Sequence, residues 1–245
     1  MTGPRDYNAI AARIRALPSS RCTVDLAATV RGHPLYVLRS PPSPSRGPRL
    51  ALSAGTHGDE PAGVEAVVRL LETGDSTLAG FDWVAFPCLN PAGYAEGTRE
   101  NGAGVDINRS FENEEVAEAL AVKRVLRGAA FDVFIECHED WEASAFYMFE
   151  CGDAAGALGG RVMAEVAREC PVSHASDIDG MRAVDGVIQV DEEFAEYGHR
   201  SLALYMWRFH AKRVLTCEAP GSLPFEQCVT AHMAAIRSAL ANAGL

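Results

Sequence analysis

Apolar residues recur along this chain in two rhythms, as short continuous runs and at the spacing of a helix face. Ile10, Ile14 and Leu17 share one side of a predicted helix over residues 7–17. Residues 23–30 and 34–38 read as strands joined by Arg31-Gly32-His33, a hairpin connection. The run Leu50-Ala51-Leu52-Ser53-Ala54 is bounded by turn residues, as a buried strand would be. Helical spacing follows over 61–71, with Pro61 suited to a first turn. Further strands are predicted at 82–88, 131–137, 145–150 and 213–217. Helices are predicted at 114–126, with Asn113 as N-cap, and at 154–170, 201–209 and 224–241. Residues 41–48, rich in proline and serine, read as a surface connection, and 92–110 as a long polar, glycine-rich stretch. Residues 171–198 show no clear period and predict a long loop of the kind that serves a site. Strands alternating with helices argue for an α/β three-layer sandwich: a mixed, mostly parallel central sheet with helices on both faces.

Composition narrows the function classes. A length of 245 residues suits one large domain or two small ones, and no linker divides it, so a single domain over 1–245 is expected. Hydrophobic residues make up 48% and charged residues 22%, ordinary values for a soluble globular chain. The net charge of −11 argues against a nucleic-acid partner, which needs a basic face to meet phosphates. The first twenty residues carry Arg5, Asp6, Arg13 and Arg15 and do not read as a secretory signal. No apolar run is long enough for a bilayer, so no membrane partner is expected. The seven cysteines are odd in number and form no Cys-x-x-Cys pair, which speaks against a disulfide scaffold or zinc ribbon. The expected location is the cytoplasm.

Candidate chemistry begins at Gly55-Thr56-His57-Gly58-Asp59-Glu60-Pro61-Ala62-Gly63, between the strand 50–54 and the helix 61–71. In open α/β sheets, ligands sit at the carboxyl ends of strands. His57 and Glu60 offer an imidazole and a carboxylate three residues apart, two of the three protein ligands a catalytic zinc takes. Alone, His-x-x-Glu is a weak signal, since two solvated loop residues read the same. Two more strands end in polar residues that could face a common place, His138 and Glu218. Singly, His138 reads as a histidine in an acidic turn and Glu218 as a carboxylate paired with an arginine. Cys137 and Cys217 precede them and, because strand side chains alternate, should face away into packing. The segment His138-Glu139-Asp140-Trp141-Glu142 reads as a solvated acidic turn. Its carboxylates have two other readings, a pocket rim favouring amino-bearing substrates and a second metal site.

Three further blocks lift these residues together: Asn90-Pro91-Ala92-Gly93-Tyr94, Gly97-Thr98-Arg99-Glu100-Asn101 and Gly104-Val105-Asp106-Ile107-Asn108-Arg109-Ser110-Phe111. With them the sequence resembles the zinc metallocarboxypeptidase family, the carboxypeptidase A-like superfamily, and looks closest to short bacterial members that include murein peptide amidases. The resemblance covers roughly residues 50–221. One departure is Ser110, where the family more often has Asn. The resemblance implies one zinc per chain, held by His57, Glu60 and His138. It implies that Asp106 orients His57, that Arg99 polarises the scissile carbonyl, and that Glu218 is the general base. Asn108 and Arg109 would grip a substrate carboxylate, for which the planar fork of arginine is suited. Tyr197 stands where the family carries a mobile-loop tyrosine, and it reads equally as an ordinary half-exposed one.

The function so implied is a zinc metallopeptidase, a carboxypeptidase or peptide amidase hydrolysing an amide next to a free carboxylate in short peptides. A rival within the fold is an N-acyl amino acid deacylase of the succinylglutamate desuccinylase and aspartoacylase type, which shares the zinc ligands and the Asp-x-Asn-Arg block. A rival of another class is an inactive ligand-binding relative, expected to have lost Glu218 or a zinc ligand; this chain keeps them all.

Overall fold

The computed structural model describes residues 5–42, 47–113, 115–152, 158–191 and 200–243. The first half of the chain gives α1 (Tyr7–Arg15), β1 (Thr23–Val30), β2 (His33–Arg39), β3 (Arg49–Ala54), α2 (Pro61–Thr73), β4 (Asp82–Phe86), α3 (Pro91–Glu96) and α4 (Ala117–Leu126). The second gives β5 (Phe131–Asp140), β6 (Tyr147–Gly152), α5 (Gly159–Val166), β7 (Asp177–Ile178), β8 (Met181–Val184), β9 (Val187–Val190), α6 (Leu202–Phe209), β10 (Ala211–Pro220) and α7 (Phe225–Asn242).

The described strands form one mixed sheet in the order β1-β2-β4-β3-β5-β10-β6-β9-β8-β7. Its middle, β4-β3-β5-β10, is parallel, as the apolar runs require of strands covered on both sides. Side chains alternate across it. Leu50, Leu52, Val133, Ile135, Cys137, Leu215 and Cys217 pack with α1, α2, α5 and α7 in one core cluster. Ala51, Phe134 and Val214 pack on the other face with α4 and α6. Both predicted inward cysteines therefore lie in packing.

From β3 the chain crosses to β4 on one side, and β5 then adds on the other side of β3. The crevice this reversal opens at the carboxyl ends of the strands is the usual place for a ligand in such sheets. The register fixes what meets there. Glu218 on β10 lies beside His138 on β5, Thr216 beside Glu136, and Cys217 beside Cys137. On the far side of β10, Tyr147 of β6 lies beside Glu218.

Several expectations need correction. The stretch 171–198 is not a structureless loop, for β7, β8 and β9 lie within it. Their turns are Asp179-Gly180 and Asp185-Gly186, with positive φ at all four residues. Asp-Gly between apolar residues is a strong hairpin signal, but the strands it joins are too short to show a period. The polar stretch 92–110 contains most of α3. Asn90 caps it by accepting the Gly93 N–H at 2.9 Å, and Pro91 follows at the first turn. Helix α4 starts at Ala117 with Val116 at its cap, while Asn113 Oδ1 accepts the Glu115 N–H instead. Strand β5 runs on to Asp140, so His138 sits inside it rather than after it. In the span 154–170 the described helix is Gly159–Val166. Among the described residues no helix is long and apolar enough to cross a membrane.

The loop after β3 and the start of α3 touch backbone to backbone. A β-carbon on Gly58 would overlap the Gly93 carbonyl and the Tyr94 nitrogen, neither of which can swing aside like a side-chain tip. Gly58→Ala is expected to cost about 1–3 kcal/mol, as overpacking does. Thermal unfolding should show a melting temperature several degrees lower. A variant that melts with the native protein would show that this approach is not tight.

Candidate active site

The tight turn after β3 brings His57 and Glu60 back over the sheet. Glu60 occupies the cap position of α2, yet its carboxylate makes no cap bond. It turns instead to two imidazoles. Its Oε1 lies 2.6 Å from His57 Nδ1 and its Oε2 2.7 Å from His138 Nδ1. All three side chains are at most 3% exposed. Their donor atoms lie within 4.8 Å of one another, and among the described residues no other such group forms. Among the described residues the acidic segment 139–142 forms no further cluster of this kind.

The 3₁₀ turn Ile107–Arg109 presents the Asp-x-Asn-Arg block. Asp106 caps it by accepting the Asn108 N–H at 2.8 Å, and the same Oδ1 lies 3.3 Å from His57 Nε2. Arg99 Nε donates to Asp106 Oδ2 at 3.2 Å, and its Nη1 stands 3.7 Å from Glu60 Oε1. Asn90 holds that arginine in place, its side-chain amide donating to the Arg99 carbonyl at 3.2 Å. Asn108 Oδ1 accepts the Leu202 N–H at 2.9 Å, which fastens the first turn of α6 to the site. Arg109 is exposed and donates from Nη1 to the Asn108 carbonyl at 3.0 Å.

These residues surround a cavity of about 740 Å³, lined among others by Arg99, Asn108, Arg109, Asp140, Tyr147 and Glu218. The lining carries both signs of charge, with Arg99, Arg109 and Arg200 as well as Glu139, Asp140 and Glu142. Burial opposes charge on Asp106, but the His57 hydrogen bond and the charges of His57, Arg99 and Arg109 outweigh it and hold the carboxyl well below the usual range. Burial likewise opposes charge on Glu60, and the two imidazoles hold it low. Glu218 goes the other way: burial pushes it up, and the Glu60 charge pushes further, against the pull of His138. Glu139 is raised by burial to about 7, although one oxygen accepts the Ala62 N–H at 2.7 Å.

The donor set fits a divalent cation. On His57 both ring nitrogens face carboxylates, an arrangement that without a metal needs a doubly protonated ring in a nearly dry pocket. A cation among the two Nδ1 atoms and the Glu60 oxygens removes that demand. Two imidazoles and a carboxylate are a ligand set that zinc accepts with a fourth position open.

Of the residues singled out in the sequence, His57, Glu60, Arg99, Asn108, Arg109, His138 and Glu218 line this one cavity, with Asp106 against His57. Tyr197 lies outside the described residues. Two buried neighbours escaped the sequence reading. Glu136 Oε1 lies 3.2 Å from His138 Nε2, and Thr56 Oγ1 donates to that same oxygen at 2.8 Å. The period of two along β5, which puts residues 136 and 138 on one face, is the signal that would have flagged Glu136.

Comparison with known proteins agrees with this geometry. The sequence pattern of the succinylglutamate desuccinylase/aspartoacylase catalytic domain matches residues 46–142. No curated protein sequence matches. Among solved structures, a candidate metallopeptidase from Shewanella amazonensis is 25% identical, with a TM-score of 0.80 over 95% of this chain and 90% of its own. A metallo-carboxypeptidase from Burkholderia cenocepacia is 19% identical, with a TM-score of 0.69 over 96% of this chain and 68% of that one. Carboxypeptidase A from Helicoverpa armigera is 14% identical, with a TM-score of 0.71 over 98% of this chain and 74% of that one. The domain pattern matched over part of the chain and the fold shared with these structures both support a relation to the carboxypeptidase-like superfamily.

Proposed function

We propose that the chain is a zinc-dependent hydrolase that cleaves an amide bond next to a free carboxylate in short peptides. The observation that carries this reading is the convergence of His57, Glu60 and His138 beside Glu218, with arginines lining the same cavity. Zinc held by those three residues would supply Lewis acidity and lower the pKa of the attacking water. Glu218 takes the proton from that water and returns it to the leaving nitrogen. Arg99 donates hydrogen bonds to the carbonyl oxygen as charge develops. Asn108 and Arg109 hold the substrate carboxylate, which sets the amide at a fixed distance from the base. Asp106 accepts the Nε2 proton of His57 and so aims its Nδ1.

A second reading, N-acyl amino acid deacylation, is favoured by the match to the succinylglutamate desuccinylase/aspartoacylase domain over residues 46–142. Both reactions break an amide beside a carboxylate, so the same residues serve either. Incubating zinc-loaded protein with dipeptides, murein tripeptide and N-acyl amino acids, then weighing the products by mass spectrometry, separates them.

Purified protein is expected to hold one zinc, and His57→Ala or His138→Ala to lose it, since a three-ligand site rarely survives with two. Full occupancy in either variant by elemental analysis removes that residue from the metal.

Arg109→Ala is expected to weaken substrates with a free carboxylate far more than their amidated counterparts, which never make the contact. Equal losses in kcat/KM on both would move the anchor elsewhere.

Glu218→Gln keeps shape and removes basicity, so turnover should fall by about 10²–10⁴ with zinc retained. Stability gives an independent check on its environment. An acid whose pKa is raised on folding costs nothing while protonated in both states. It destabilises the fold as pH rises from its unfolded value, about 4.3, through the raised one. Metal-free Glu218→Gln should therefore outlast the native protein in denaturant at pH 9 and match it near pH 4. Near-normal turnover with zinc bound would sink the proposed mechanism.

A further inference from the structure

Glu136 sits two residues before His138 on β5, so both side chains leave the same face of the sheet. It is wholly buried, as is Ser53, its register neighbour on β3; Thr216, its neighbour on β10, is 8% exposed. No lysine or arginine forms an ion pair with it among the described residues. Its surroundings are hydroxyls: Thr56 Oγ1 donates to Oε1 at 2.8 Å, while Ser53 Oγ and Glu136 Oε2 are both buried without a hydrogen-bond partner. Among the described residues the group within ion-pair reach is the His138 ring, its Nε2 3.2 Å from Oε1 but outside hydrogen-bonding geometry. A carboxylate is costly to bury without a counter-charge, and here that charge has to come through His138.

We propose that Glu136, fixed by Thr56, is a positioning residue for His138. It takes the Nε2 proton, which leaves the Nδ1 lone pair aimed at the Glu60 carboxylate and the donor cluster. The assignment rests on the metal-centre reading above. It makes the site symmetric: Asp106 backs His57, and Glu136 backs His138, each carboxylate lying on the ring nitrogen opposite the cluster. Each anion raises the basicity of its imidazole, and such partners typically carry about 10–100-fold in metal affinity. Thr56 adds a tie between the two ligand-bearing segments, because it directly precedes His57 and bonds the residue that backs His138.

The test is zinc affinity measured by chelator competition on the native protein, Glu136→Gln, Thr56→Val and the double variant. Melting of each metal-free form and the visible spectrum of each cobalt-loaded form are recorded beside it. Glu136→Gln is expected to bind zinc about 10–100-fold more weakly, with a shifted cobalt spectrum and no fall in metal-free melting temperature. Thr56→Val should lose less, and the double variant should be no weaker than Glu136→Gln, since the hydroxyl acts through the carboxylate. Native affinity in Glu136→Gln overturns the assignment alone. So does an affinity loss that tracks a lower metal-free melting temperature with an unchanged cobalt spectrum, the mark of a merely structural role. A native protein that holds no zinc overturns the metal centre itself and this assignment with it.

Discussion

One buried carboxylate, Glu60, faces two imidazoles at once, and the architecture around it can be read as the means of keeping that contact. Its oxygens lie 2.6 and 2.7 Å from the Nδ1 atoms of His57 and His138 in a pocket almost closed to water. Neither imidazole belongs to the same strand end. His57 arrives on the turn after β3, and His138 on β5, which pairs with β3 residue by residue from Leu50 to Ala54. The parallel register of those two strands therefore sets the separation of the two rings. Gly58 lets the turn approach the Gly93–Tyr94 backbone of α3 closely enough for the ligand pair to fold back over the sheet.

That contact gathers charge in a region of low polarity. Glu60, Glu136 and Glu218 gather around His138, with Glu139 buried against Ala62, and burial acts against ionisation of Glu60, Glu139 and Glu218. Cations compensate unevenly. Arg99 spans Asp106 and Glu60, whereas Glu136 has only His138 within ion-pair reach among the described residues. Such a cluster is poor for stability and makes sense as a site prepared for a cation. Apolar clusters pack on both faces of the sheet that carries it.

The cavity gathers both signs of charge as well. Arg99, Arg109 and Arg200 line it together with Glu139, Asp140 and Glu142 and the imidazoles of His57 and His138. Asn108 ties the Asp-x-Asn-Arg turn to the neighbouring helix, because its side-chain oxygen accepts the Leu202 N–H at the N-terminus of α6. A substrate held by its carboxylate would meet the reacting groups at a fixed offset, which is how orientation lowers a barrier.

The sequence by itself determined the local pieces. The apolar runs at 50–54 and 131–137 and the helical spacing at 61–71 and 224–241 were legible because strand and helix periods are written in neighbouring residues. The block around His57 was legible as a loop between a strand and a helix, and those around Asn90 and Asp106 through the family resemblance they carry; locally Asn90 closes over Gly93 and Asp106 over Asn108. The small strands β7 to β9 were visible only in their Asp-Gly turns, since two to four residues are too few to show alternation. Only the tertiary structure decided what depends on strand order. That β5 lies between β3 and β10 brings His138 to both Glu60 and Glu218, and it places Glu136 under His138 and against Thr56. No local pattern encodes such neighbours, because residues 80 positions apart meet through backbone pairing of the sheet rather than through any spacing along the chain.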